Sequence, residues 1–85
     1  MKHVSILVPK GAIMGSIEGP YKLLTEVNDL AVSMGRQPLF SVHLVGIEKQ
    51  TPLSNGLFTV TTEWTVYNMD KTDLVIVPAS LLRVN

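Results

Sequence analysis

Two short apolar runs, each ended by a proline, constrain the fold of this chain more than any other feature. Residues 4–8 read Val-Ser-Ile-Leu-Val before Pro9, and residues 74–77 read Leu-Val-Ile-Val before Pro78. Short, almost continuously apolar runs of β-branched residues are typical of strands that are buried on both faces of a parallel sheet. Because parallel strands need long crossover connections, the sequence predicts an α/β fold.

One amphipathic helix is predicted between these strands, over residues 17–34. Its apolar stripe repeats every three to four positions and consists of Ile17, Tyr21, Leu24, Val27, Ala31 and Met34. Ser16 is the expected N-cap, and Gly35 lies where a left-handed C-terminal cap is favoured. Pro20 is compatible with this helix only close to the first turn.

Residues 40–47 form a second predicted strand, and Asn55-Gly56 is a strong signal for a hairpin turn. A right-handed strand-helix-strand unit then places the first strand in the middle. We therefore predict a partial flavodoxin-like α/β three-layer sandwich, with three parallel strands in order 2-1-3, one main helix and a small β-hairpin excursion. One helix cannot cover both faces of such a sheet, so the chain is expected to be truncated or to associate with a partner, most simply with itself.

Composition narrows the possible functions. Hydrophobic residues make up 46% of the 85 residues and charged residues 16%, which indicates one small globular domain. The formal net charge is zero and no Lys or Arg cluster occurs, which argues against nucleic-acid or membrane binding by this chain. Cysteine is absent, so thiol chemistry and thiolate metal sites are excluded within it. The expected location is the cytoplasm, and no cofactor or metal is expected.

The predicted site lies beyond the carboxyl ends of the first and third strands, where ligands bind in doubly wound sheets. The candidate ligand-binding residues there are Gly11, Glu18, Pro78 and Ala79. Glu18 opens the predicted helix, so it could bind a ligand or simply complement the helix dipole and pair with Lys22. The glycines lack the spacing of a nucleotide loop. His3 and His43 lack carboxylates at metal-ligand spacing and are interpreted as strand residues.

Four segments together carry a resemblance to a known superfamily: residues 4–9, residues 16–20, residues 54–57 and residues 73–78. In order and spacing they resemble the N-terminal half of the DJ-1/PfpI, or class I glutamine-amidotransferase-like, superfamily. The segment Glu18-Gly19-Pro20 is most similar to the sensor domains that precede a helix-turn-helix in AraC-family transcriptional regulators. The resemblance covers nearly the whole chain.

This resemblance implies a non-catalytic domain that senses an unidentified small-molecule effector and forms a homo-oligomer. It also implies that DNA is contacted only through a helix-turn-helix domain absent from this chain. The alternative is a fragment of a cysteine-dependent hydrolase, hydratase or glyoxalase-like enzyme of the same superfamily. In that case Glu18 would lie beside a nucleophile located after residue 85, and it would be the catalytic carboxylate.

Overall fold

The architecture is a parallel sheet with one helix packed on it and a separate β-hairpin. A computed structural model describes residues 1–9, 11–53, 56, 58–67 and 71–79. The elements are, in chain order, β1 (Lys2–Val8), α1 (Met14–Ser33), β2 (Phe40–Gly46), β3 (Gln50–Leu53), β4 (Phe58–Thr61), β5 (Trp64–Thr65) and β6 (Leu74–Ile76). No helix among the described residues has the combination of length and hydropathy that crossing a bilayer requires.

The main sheet has the strand order β5-β2-β1-β6, and all of its pairings are parallel. β1 pairs along its length with β2 and, from Val4 to Ile6, with β6. The order β2-β1-β6 confirms the predicted 2-1-3 arrangement and the partial flavodoxin-like α/β fold. β5 adds a fourth strand, in which Trp64 lies opposite Val45. Two residues are too few to show a periodic pattern, so this strand was not predicted.

Helix α1 begins at Met14 rather than at Ile17. Its N-cap is Ile13, which has an extended backbone and no side-chain capping bond, so the prediction of Ser16 as the cap is wrong. The reason is tertiary, because the Ile13 N–H donates to the carbonyl of Ala79 at 2.8 Å and fixes the chain just before the helix. Pro20 consequently lies inside the helix, where it cannot donate a backbone hydrogen bond.

The carboxyl end of α1 agrees with the prediction. Gly35 has φ +76°, and its N–H donates to the carbonyl of Val32 at 3.0 Å. The N–H of Arg36 donates to the carbonyl of Ala31 at 2.9 Å. This pair of bonds is the Schellman motif, in which a glycine adopts the left-handed conformation without the steric cost of a Cβ.

The core lies between the sheet and α1. Alternate residues of a strand point to opposite faces, so Ile6 and Val8 of β1 share the face that packs against Ile17 of the helix. The remaining fully buried members of this core are Ala12, Leu53 and Val60. Two of these belong to the hairpin, so β3 and β4 also contribute to covering this face. The residues of opposite parity, among them Ser5, Ser41 and His43, define what we call the opposite face.

The hairpin is antiparallel, as predicted, and its register places Leu53 opposite Phe58. Gly56 has φ +84°, and its N–H donates to the carbonyl of Leu53 at 3.1 Å. This is the conformation for which glycine is favoured in hairpin turns. Asn55, the other residue of the predicted turn, lies outside the described residues.

Gly46 ends β2 in a position without room for a side chain. A Cβ there would lie 2.7 Å from the carbonyl oxygen of Glu48 and 3.2 Å from Cγ2 of Thr62. At Gly19, inside α1, a Cβ would meet nothing within 4 Å. Gly46→Ala is therefore expected to lower the free energy of unfolding by about 1–3 kcal/mol. Gly19→Ala, the matched control, is expected to raise it by roughly 0.5–1 kcal/mol, and urea denaturation measures both. Equal effects of the two substitutions would contradict the steric argument.

Candidate functional site

The predicted rim is formed where the chain leaves β1 and β6. Pro78 is buried, whereas Gly11 and Ala79 are exposed, and Gly11 has φ +78°. The bond from the Ile13 N–H to the Ala79 carbonyl ties the segment after β1 to the segment after β6. Gly11, Pro78 and Ala79 thus belong to two segments that lie next to each other at one edge of the sheet. Their binding role stays a prediction.

Glu18 lies further along α1 than the sequence suggested. Because the helix begins at Met14, Glu18 is beyond the first turn, which contains no acidic residue. Its side chain is exposed. The helix-dipole role proposed for Glu18 is therefore weakened, since that interaction decays within the first turn. Its role as a ligand-binding residue, or as a catalytic carboxylate, stays a prediction.

Two open hollows lie beyond the carboxyl ends of β1 and β2. The more apolar one is lined on the opposite face by Leu7 and Val45, together with Pro9 and Val66. The other lies between Val8 and the start of the hairpin. Neither lining includes the four predicted ligand residues. The position of the hollows nevertheless agrees with the general rule that ligands bind at this end of an α/β sheet.

A second group of polar side chains lies on the opposite face, around His43. The Nε2 atom of His43 is 2.8 Å from Oγ of Ser41, and its Nδ1 atom is 3.3 Å from Oε2 of Glu63. The imidazole stacks on Trp64, with ring centroids 3.8 Å apart, and more distantly on His3, at 6.5 Å. His43 is thus held by hydrogen bonds at both ring nitrogens and by the stacked ring of Trp64.

The sequence showed only part of this arrangement. Ser41 and His43 are two positions apart in a predicted strand, so their shared face follows from strand periodicity. Glu63 and Trp64 approach His43 because β5 pairs with β2, which no local pattern indicated. The tertiary structure therefore supplies both the acidic partner and the stacking partner.

Two polar atoms in this region are buried without a hydrogen-bond partner, namely Nδ1 of His3 and Oγ of Ser5. Ser5 lies opposite His43 in the pairing of β1 with β2. Burying an unpaired hydroxyl or imidazole nitrogen costs free energy. The opposite face is therefore less favourable for stability than the apolar core on the α1 side.

A backbone clamp joins the start of β1 to the segment before β6. The N–H of His3 donates to Oδ2 of Asp73 at 2.8 Å, and the N–H of Asp73 donates to the carbonyl of His3 at 2.7 Å. The hydrogen bond from His3 holds the pKa of the Asp73 carboxyl below its usual value of 3.8, and the charges of Lys2 and Lys71 lower this pKa further. The ionised carboxylate thus favours the folded chain.

The clamp predicts a pH dependence of stability. Since the pKa of Asp73 is lower in the folded chain than in the unfolded chain, its stabilising contribution is complete above the usual value of 3.8 and is lost as pH falls through the lowered pKa. Asp73→Asn should remove this part of the acid sensitivity. Urea denaturation at roughly pH 6 and pH 2 measures it. An unchanged pH profile in the variant would contradict the assignment.

Comparison with known proteins supports the fold. No protein-family model and no curated protein matches the sequence. The structure is similar to the crystal structure of an AraC family transcriptional regulator from Pseudomonas putida, with 13% sequence identity and a TM-score of 0.63. The match covers 95% of this chain and 48% of that regulator, so the chain spans about half of its length. The shared feature is the partial flavodoxin-like α/β fold.

Proposed function

We propose that this chain is the N-terminal portion of an effector-sensing and dimerisation domain of an AraC-family transcriptional regulator, of the DJ-1/PfpI type. The structural similarity to half of a solved AraC family regulator carries the proposal. The segment Glu18-Gly19-Pro20, on which the sequence resemblance rests, independently supports it. Sensing needs only a pocket and a means to transmit binding, so the absence of cysteine from the sequence is compatible with this function.

In this proposal the effector binds at the edge formed by the segments after β1 and β6. Gly11 allows close approach of a ligand to the backbone, and Glu18 would recognise a donor group of the effector. Pro78 and Ala79 would form the other side of the site. The hydrogen bond between Ile13 and Ala79 supports this, because it keeps the two segments adjacent. DNA would be bound by a helix-turn-helix in another part of the regulator.

The experiment that tests the proposal is to sequence the transcript that encodes this chain and to select DNA sequences bound by its product. The expected reading frame encodes the rest of an α/β domain and a helix-turn-helix, and the product should enrich a defined operator. Failure to enrich any DNA sequence would refute the proposal. A cysteine on a strand-to-helix turn, together with turnover lost in Glu18→Gln, would establish the enzyme alternative instead.

Self-association is the second part of the proposed function. Helix α1 and its C-cap residue expose Leu23, Leu30 and Met34 at 62%, 60% and 61% of their surfaces, and β6 exposes Leu74 at 53%. Apolar surface of this kind favours association. We expect sedimentation equilibrium to show dimers of the chain, weakened by Leu30→Glu, with the change Lys22→Gln at an exposed polar position of the same helix as control. A monomer at high concentration would contradict this expectation.

A further inference from the structure

Ser41, His43 and Glu63 form a hydrogen-bonded chain on the opposite face of the sheet. Oγ of Ser41 is 2.8 Å from Nε2 of His43, and Nδ1 of the same ring is 3.3 Å from a carboxylate oxygen of Glu63. A hydroxyl at one imidazole nitrogen and a carboxylate at the other is the connectivity by which a serine is activated as a nucleophile. Ser41 is half-buried rather than fully buried.

The carboxylate determines which way the hydrogen bonds run. An ionised carboxylate can only accept, so Nδ1 of His43 must carry the proton in its bond with Glu63. In the neutral ring, Nε2 then holds a lone pair and accepts the hydroxyl proton of Ser41. This is the tautomer that a general base requires. The proton of Ser41 is therefore already directed at the atom that would remove it.

Close stacking on Trp64 keeps the imidazole in this orientation. The planes of His43 and Trp64 are inclined by 16° at a centroid separation of 3.8 Å, and those of His43 and His3 by 8° at 6.5 Å. Rotation of the His43 ring would disrupt the closer stack and both hydrogen bonds. A base held in one orientation by packing and hydrogen bonds is preorganised for proton transfer.

We propose that Ser41 is an activated nucleophile that takes the acyl group of small activated carboxylic esters, with His43 as general base and Glu63 as the residue that positions it. Oγ of Ser41 forms a bond with the ester carbonyl carbon while its proton passes to Nε2 of His43. The bond from that carbon to the leaving oxygen then breaks, and the departing alcohol takes the proton from Nε2. Water repeats the sequence on the acyl-serine and releases the acid. This activity is independent of the proposed regulatory function.

The test uses diisopropyl fluorophosphate, a phosphorofluoridate, because it reports the nucleophile directly. Oγ of Ser41 would form a bond to phosphorus, fluoride would leave, and the proton would pass to His43. Mass spectrometry of the whole chain and of its peptides should locate one phosphoryl group on Ser41. Ser41→Ala should abolish this labelling, and His43→Gln should slow it by about a hundredfold, the usual contribution of a general base. Ser33→Ala removes an exposed serine without a histidine partner and should leave the labelling unchanged.

Substitutions of Glu63 distinguish an activated serine from a cluster that has only a structural role. Its side chain is 62% exposed, so Glu63→Gln should keep the fold even if a change at His43 does not. We expect Glu63→Gln to slow labelling without changing the unfolding midpoint, and Glu63→Asp to restore part of the rate. Absence of label on Ser41, label spread equally over Ser16 and Ser33, or a rate unaffected by Glu63→Gln would each overturn the proposal.

Discussion

Ile6→Ala is expected to lower the free energy of unfolding by about 3 kcal/mol. Ile6 is 0% exposed in the central strand of the sheet and belongs to the core that packs against α1. Its truncation removes apolar contacts and leaves a cavity that the strand on either side cannot close. For a chain of this size the loss is a large part of the total stability. Thermal unfolding should show a decrease of roughly 4–8 °C for each kcal/mol lost.

Ile47→Ala is the matched control for this prediction. Ile47 is 55% exposed just after β2, so the same truncation removes much less buried surface. We expect it to change the free energy of unfolding by less than about 1 kcal/mol. Similar losses for the two substitutions would show that β1 is not the centre of the core.

Asn28→Ala is expected to destabilise the chain by roughly 2–3 kcal/mol. Oδ1 of Asn28 accepts from the N–H groups of Leu39 and Phe40 at 3.0 and 2.9 Å, and Nδ2 donates to the carbonyl of Phe40 at 2.7 Å. One side chain of α1 thus satisfies three backbone groups at the start of β2. Alanine leaves them without this partner, and hydrogen exchange of the two amides should accelerate.

Asn28→Asp separates the acceptor part of this contact from the donor part. Aspartate can still accept from both N–H groups, but it cannot donate to the carbonyl of Phe40. We expect a loss of stability smaller than that of alanine, with amide exchange at Leu39 and Phe40 remaining slow. A loss as large as that of Asn28→Ala would show that the donor bond dominates the contact.

Asn28 also shows where sequence patterns stop being informative. It lies on the sheet-facing side of α1, in the same stripe as Ile17 and Ala31, where a pattern of apolar periodicity predicts a hydrophobic residue. Its partners are the backbone groups of Leu39 and Phe40, which reach this position beside α1 only when β2 pairs with β1. The start of α1 also depends on a residue far away in the sequence. The N–H of Ile13 donates to the carbonyl of Ala79, and Ile13 rather than the predicted Ser16 occupies the N-cap position.

Sequence patterns alone predicted β1, α1, β2, the hairpin and β6, together with the order of β2, β1 and β6, but not β5. Continuous apolar runs, helical periodicity and glycines at Gly35 and Gly56 are local features, and the handedness of the crossover leaves few ways to combine them. The start of α1 and the surroundings of His43 depend instead on tertiary contacts. Those contacts join residues far apart in the chain, such as His43 with Glu63 and His3 with Asp73, whose distances depend on how the strands pair rather than on their spacing in the sequence.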